Sequence, residues 1–361
     1  MRLTISCLTV LCLSTLLLSA CSTPNKISEQ TKPENITNLL DDGSDKIRYA
    51  NLYRGKQQYP DSCSENCYPA HPQVQCELPG QNCQFSGLQQ PPQHNTGFAV
   101  QWLGHASFMV QTPDGQQILL DPVTGQFDWP VNWAAWLTGT RRQLPPAWDN
   151  IKLADTDAVL FSHLHYDHFS HSTIEQIGNQ VPYYMPLGMA AYMPEDGYQV
   201  IENGWYSSNS LGETLLTLVP AHHFNSRYLV DDFNRAMWGG WLIQHGRYKL
   251  FFAGDTGYSP HFKDIQQKYG DIDICLLPIA SYYHKTDGDW YRHVHTTPED
   301  ALNAANDLGC KVMIPWGYGN ASWQMGDHSS HSPLLRLLHM QQQLQTPVPL
   351  LILNEGDKVA L

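Results

Sequence analysis

The stretch Phe161-Ser162-His163-Leu164-His165-Tyr166-Asp167-His168 places three imidazoles and a carboxylate within six residues, at the end of the apolar run Ala158-Val159-Leu160-Phe161. So many polar rings beside a buried strand are costly to hold together unless a cation gathers them. Imidazole nitrogen and carboxylate oxygen are the donors that zinc and similar divalent ions accept. On an extended loop His163 and His165 point the same way, while Asp167 and His168 turn toward a neighbouring point. One short segment can therefore serve two metal positions.

The amino terminus reads as an export signal. Arg2 is followed by an apolar run to Leu18, and Leu18-Ser19-Ala20-Cys21 ends it. The run is short for a spanning helix, and small residues precede the expected cut. Its ending resembles the lipobox of bacterial lipoproteins. That resemblance implies an acylated Cys21 as the first mature residue, with Ser22 after it favouring the outer membrane. Acyl chains contribute about 0.8 kcal/mol per buried methylene, enough for a stable anchor when several are present. Residues 21–50 are rich in small polar and charged side chains and read as a tether.

Residues 51–97 form a Cys-rich segment. Cys63, Cys67, Cys76 and Cys83 lie in a Pro-, Gln- and Asn-rich stretch. In an oxidising compartment two disulfides are expected, with three pairings open; a structural zinc site is the rival reading. Cys275 and Cys310 sit in apolar surroundings and read as buried core thiols.

Residues 98–361 are long enough for one large domain with a full core. Strands are expected at 98–102, 107–111, 117–120, 158–161, 214–218, 237–244, 248–253, 274–277, 312–314 and 349–353, and Asp114-Gly115 marks a hairpin turn. Helices are expected at 173–177, 261–269, 298–308, where Thr297 caps and Pro298 fits the first turn, and 333–344. Hairpins followed by alternating strands and helices indicate a layered α/β sandwich. The formal charge of −13, from 21 basic and 34 acidic residues, argues against a nucleic-acid partner.

Other polar residues stand where apolar strands end. Asp121 follows Leu119-Leu120, His222-His223 follow the strand ending at Leu218, and Asp255 follows Phe251-Phe252-Ala253-Gly254. Each alone could be a turn cap. Together with the His cluster they extend a metal constellation.

These stretches, with Trp102-Leu103-Gly104-His105-Ala106, Leu277-Pro278-Ile279-Ala280-Ser281-Tyr282 and His295 to Ala301, resemble the metallo-β-lactamase superfamily. Within it they look like the N-acylphosphatidylethanolamine-hydrolysing phospholipase D group. The resemblance spans about residues 98–320. It implies an αββα sandwich of two mixed sheets flanked by helices. By position it implies one metal held by His163, His165 and His223, another by Asp167 and His168, and Asp255 bridging them. Asp121 would stand behind the ligands and orient one of the imidazoles, and His222 would be a neighbour. Asp167 and His295 are the implied catalytic residues, His295 on the substrate side. Zinc is the implied ion, one or two per chain, with manganese or iron in its place as alternatives.

One position departs from the family pattern. Where the family ends a strand with Ile-His-Trp-Gly, this chain has Ile314-Pro315-Trp316-Gly317, so the last imidazole of the second metal is missing. His328, His331, His284 and His293 are candidates to replace it. By resemblance the substrate is a phosphodiester lipid hydrolysed by metal-activated water, reached through the lipid tether. Trp129, Trp133 and Trp136 form an aromatic insert that is either lipid-facing or a core-packed lid. The rivals are a hydrolase of another ester, lactone or phosphodiester, and a non-catalytic envelope lipoprotein with a degenerate site.

Overall fold

The computed structural model describes residues 38–40, 43, 45–56, 70–78, 81–87, 95–195, 197–228, 232–280, 282–283, 291–322, 330–344 and 348–361. The signal segment, Cys21, Cys63, Cys67, His284 and His328 lie outside them.

A small hairpin comes first, β1 (Val74–Leu78) and β2 (Gln81–Phe85), with Cys76 opposite Cys83 and disulfide-bonded to it. The first large sheet comprises β3 (Ala99–Gly104), β4 (Ser107–Gln111), β5 (Gln117–Leu120), β6 (Ala158–Leu160), β7 (Pro182–Pro186), β8 (Gln199–Asn203) and, beside β3, the last strand β15 (Lys358–Ala360). The second sheet comprises β9 (Ser208–Leu211), β10 (Thr214–Val219), β11 (Gly240–His245), β12 (Tyr248–Phe252), β13 (Ile274–Pro278) and β14 (Val312–Trp316). Each sheet is mixed. It begins as antiparallel hairpins, and β5-β6-β7-β8 and β12-β13-β14 are parallel.

Alternation along the strands builds the layers. Phe108, Val110, Ile118 and Leu120 join the core shared with Leu216, Leu218, Leu250, Phe252, Leu276 and Ile314 of the other sheet. Phe108 meets Phe252 and Trp316 edge-on across that interface. The opposite faces of β4, β5 and β6 carry Met109, Leu119 and Val159 toward Ile174 of α2 (His171–Ile177). Helices α3 (His261–Tyr269), α5 (Pro298–Asp307) and α6 (Ser332–Gln341) cover the second sheet with Phe262, Ile265, Ala301, Leu334 and Leu337. Helix, sheet, sheet, helix is the order of the layers. Two shorter helices, α1 (Val131–Thr138) and α4 (Tyr291–Val294), lie in connections.

Three expectations need correction. Cys275 and Cys310 are not thiols: they form a disulfide that ties β13 to the approach to β14. Residues 349–353 make only a bridge at Leu350 to Met313. The aromatic insert is no core-packed lid, since Trp129, Trp133 and Trp136 are 74%, 57% and 64% exposed.

Packing also takes in residues ahead of Phe98. Tyr49 bonds the Asn234 carbonyl, and Asn51 bonds both main-chain groups of His223. Among the described residues, no helix is long and apolar enough to cross a membrane.

Candidate metal centre

β3, β5, β6, β10 and β12 all point their carboxyl ends at one edge of the sandwich, where backbone groups are released from the ladder and ligands gather in α/β folds. His105 leaves β3, Asp121 leaves β5, His163 to His168 follow β6, His223 follows β10 and Asp255 follows β12. The strands meet closely there. Gly254 has φ +58°, and a Cβ at that position would stand 2.6 Å from the Ser162 Cβ. Glycine lets the Asp255 turn pass the histidine loop.

His163, His165 and His223 converge. His163 Nε2 and His223 Nε2 lie 2.9 and 3.2 Å from His165 Nδ1. The hydrogen bonds behind the rings fix their tautomers. Ser162 Oγ donates to Asp121 Oδ2, so it accepts from His163 Nδ1 at 2.9 Å. His223 Nδ1 donates to the Val294 carbonyl at 3.0 Å. Both Nε2 atoms therefore present lone pairs toward His165, and three nitrogens share at most one proton. Burial holds His163 and His223 well below the ordinary histidine range, and it pushes His165 down to about 4, so the trio is neutral at pH 7. Neutral rings with converging lone pairs are what a divalent cation requires.

A second group stands beside the first. His168 Nδ1 donates to Asp121 Oδ2 at 2.7 Å. Its Nε2 is buried without a hydrogen-bond partner, 3.4 Å from Asp255 Oδ1 and 3.7 Å from Asp167 Oδ2. Burial opposes charge on His168, but Asp255 and Asp167 outweigh it and hold its pKa well above the usual value. Burial likewise works against the charge of Asp255, and His168 reverses the balance and holds that carboxyl well below its ordinary range. These carboxylates and rings neutralise one another at a place a cation can take over.

Asp255 lies between the groups. Oδ1 faces His168, and Oδ2 stands 4.0 Å from His223 Nε2 and 3.2 Å from His295 Nε2. The residues named from the sequence as one ligand trio, a second pair, a bridge and a carboxylate behind them are thus brought together. The donors suit divalent metal: neutral imidazoles in the trio, ionised carboxylates beside it, and a buried His168 Nε2 that makes no hydrogen bond, where a cation can take the place of the ring's proton. His295 stands on the far side of Asp255 from His168, its ring stacked near Tyr291.

Pro315 lies buried in β14 opposite Leu277 and offers no donor. Of its candidate replacements, His331 packs near Tyr318 and His293 against the His222 ring; neither joins the cluster. His222 is no ligand: Gly55 N–H donates to its Nε2, and its Nδ1 donates to the His293 carbonyl. The residue that does approach the second group is His105, to which no role was assigned from its sequence position. Its Nε2 is 2.9 Å from Asp167 Oδ2, and His105, Asp167 and His168 form one ligand-capable group. His105 sits at φ +50° in the two-residue turn between β3 and β4, a strained conformation the structure alone reveals.

The surroundings are braced. Arg227 donates to the Leu164 and Phe169 carbonyls and pairs with Asp128, and Tyr166 donates to the Arg227 carbonyl. Asp128 immediately precedes the exposed tryptophans, so the aromatic insert is pinned to the histidine loop.

The profile described as Beta-lactamase superfamily domain matches residues 116–318. The chain is 30% identical over 243 residues to N-acyl-phosphatidylethanolamine-hydrolyzing phospholipase D 1 of Caenorhabditis elegans, covering 62% of this chain and 64% of that protein. It is 32% identical over 107 residues to Outer membrane protein RomA of Klebsiella pneumoniae, covering 30% of this chain and 76% of that one. Several relatives are thus matched over less than two thirds of their length, 63% for a Mycobacterium bovis protein that is 32% identical. Among solved structures, the metallo hydrolase Igni18 of Ignicoccus hospitalis superposes with a TM-score of 0.51 at 21% identity, over 73% of this chain and 97% of that one. The match to residues 116–318 and the cluster of ligand-capable residues at the strand ends lead to one assignment: this chain belongs to the metallo-β-lactamase superfamily.

Proposed function

We propose that the chain is a zinc-dependent phosphodiesterase of phospholipase D type, cleaving N-acylphosphatidylethanolamine-like lipids to phosphatidic acid and N-acylethanolamine. The observation that carries this reading is the pair of ligand groups sharing Asp255, pinned beside an exposed aromatic insert. Trp129, Trp133, Trp136 and Leu137 project to solvent from one short segment, and amphipathic aromatic rings of this kind favour the lipid headgroup region. Similarity to the C. elegans phospholipase D supports the substrate class.

Bound divalent ions would lower the pKa of a water from ~15.7 toward ~7 and offset charge developing on phosphorus. Asp167, steadied by His105, is the carboxylate placed to take a proton from that water. His295 Nε2, beside Asp255 Oδ2, is placed to hold a proton for the leaving oxygen. His163, His168 and His223 are each hydrogen-bonded from behind through Nδ1, which leaves their Nε2 atoms directed inward. Acylated Cys21 and the tether would deliver the domain to the outer membrane from the periplasmic side, a location that the partial similarity to RomA supports.

The test is mass spectrometry of products after zinc-loaded protein meets N-acylphosphatidylethanolamine in mixed micelles, with His163→Ala/His165→Ala as the blank. Phosphatidic acid and N-acylethanolamine formed only by the intact site support the reading. Bound zinc without either product would move the activity to another ester or phosphodiester. No bound zinc would favour a non-catalytic envelope protein.

A further inference from the structure

Three arginines are buried in this domain, and they are treated differently. Arg227 gives its Nη atoms to two carbonyls and to Asp128, and Arg336 forks onto Glu299. Arg142 is 5% exposed, yet Nε, Nη1 and Nη2 all lack a hydrogen-bond partner among the described residues. A guanidinium carries five donors, and leaving them all unmet inside a protein is unfavourable unless an anion completes the site.

Its surroundings indicate where that anion comes from. Burial pushes its pKa down to about 10, with Asp167 first and then Glu355 pulling the other way, so it remains charged at neutral pH. Neither acid forms an ion pair with it. Glu355 is occupied by the Asn320 and Ala321 N–H groups, and Asp167 by His105. The main chain at Arg142 is fixed, and the guanidinium lies against a buried ring. Gln126 donates to the Arg142 carbonyl at 2.8 Å, and the Phe127 ring lies 5.2 Å from the Arg142 Cζ. Gln126 and Phe127 lead directly into the exposed aromatic insert. A buried cation thus lies against Phe127, which leads into that insert, and within electrostatic reach of Asp167 on the histidine loop.

We propose that Arg142 is the residue that holds the anionic group of the substrate, a phosphodiester in the reading above, on which this inference rests. The planar fork matches the two unesterified oxygens of a phosphodiester. A carboxylate has the same chemistry, so the source of the anion must be separated by experiment. Arg142 is a binding residue here and takes no part in moving protons.

The test is calorimetric titration of dimethyl phosphate, and separately butyrate, into the zinc-loaded full chain in detergent. Wild type, Arg142→Met and Arg142→Lys are compared, with zinc content and Tm recorded. The expected result is dimethyl phosphate binding that weakens at least tenfold in Arg142→Met and less in Arg142→Lys. Zinc content stays constant, and the Tm of Arg142→Met is equal to or above wild type because a buried unpaired charge is gone. Equal binding by wild type and Arg142→Met overturns the role of Arg142 and leaves the phosphodiester reading standing. Arg142-dependent binding of butyrate alone keeps the role and removes the phosphodiester reading. A lower Tm in Arg142→Met with unchanged affinity would make the residue structural. Should Arg142→Met fail to fold, Arg142→Lys decides: an unchanged Kd for dimethyl phosphate overturns the proposal, and at least threefold weakening supports it.

Discussion

Asp121 Oδ2 accepts from His168 Nδ1 at 2.7 Å, and the same carboxylate takes the Ser162 hydroxyl and main-chain N–H. One buried side chain therefore sets His168 directly and, through Ser162, the tautomer of His163. It orients one ring from each ligand group. Asp121→Asn keeps the shape but replaces one acceptor oxygen by a donor. Metal affinity should fall by about 10–100-fold at both positions, measured by competition with a chromophoric chelator. Loss at only one position would break the inferred link through Ser162.

His105 faces Asp167 with Nε2 and Ser322 with Nδ1. Since Ser322 Oγ donates to the Tyr318 carbonyl, it accepts from His105 Nδ1. Nε2, 2.9 Å from Asp167 Oδ2, is the atom a cation would reach alongside that carboxylate. His105→Ala should lower occupancy of the second metal position about tenfold while the first stays filled. Zinc per chain by mass spectrometry, across a chelator series, checks this. Loss of both ions together would contradict it.

His222 gives a pH dependence with a defined sign. Burial, followed by the neighbouring His293, holds its pKa at about 4, below its ordinary 6.5. Between those values the unfolded chain takes up a proton that the folded chain refuses. Its contribution to stability is therefore complete above pH 6.5, falls as pH drops through that window and levels off below 4. Denaturant unfolding of chelated protein at pH 7 and 5 should show less loss in His222→Gln than in wild type. An equal loss would remove His222 as a contributor.

The Cys275–Cys310 disulfide closes a 35-residue separation. The loop-entropy relation assigns such a link about 4 kcal/mol, lower where the unfolded chain keeps structure. Cys275→Ala/Cys310→Ala should lower unfolding free energy by about 2–4 kcal/mol in urea titration, with metal content retained. No change would show that strand packing alone fixes β13 against β14.

Much of the centre was legible because its residues follow apolar strands directly. His163 to His168 follow β6 and Asp255 follows β12, and only strand order was needed to bring them together. His105 was harder to see, being a single histidine in a hairpin turn that becomes informative only when Asp167 arrives opposite it. Cys275 and Cys310 lie in apolar runs, and nothing local reveals that parallel β13 and β14 bring them within bonding distance. β7 is not among the strands expected from the sequence; Pro182 and Pro186 bracket it, and both sit at strand ends where they disturb little. The tryptophans of the insert could not be assigned from composition, since a buried lid and a lipid-facing surface contain the same residues.

Anomalous scattering at the zinc edge from crystals of zinc-loaded protein tests the central claim most directly. The account predicts two peaks, one about 2.0–2.2 Å from nitrogens of His163, His165 and His223, the other within that range of His168 Nε2 and Asp167, with Asp255 between them. A well-occupied peak elsewhere, or zinc-loaded crystals with neither position filled, would contradict it.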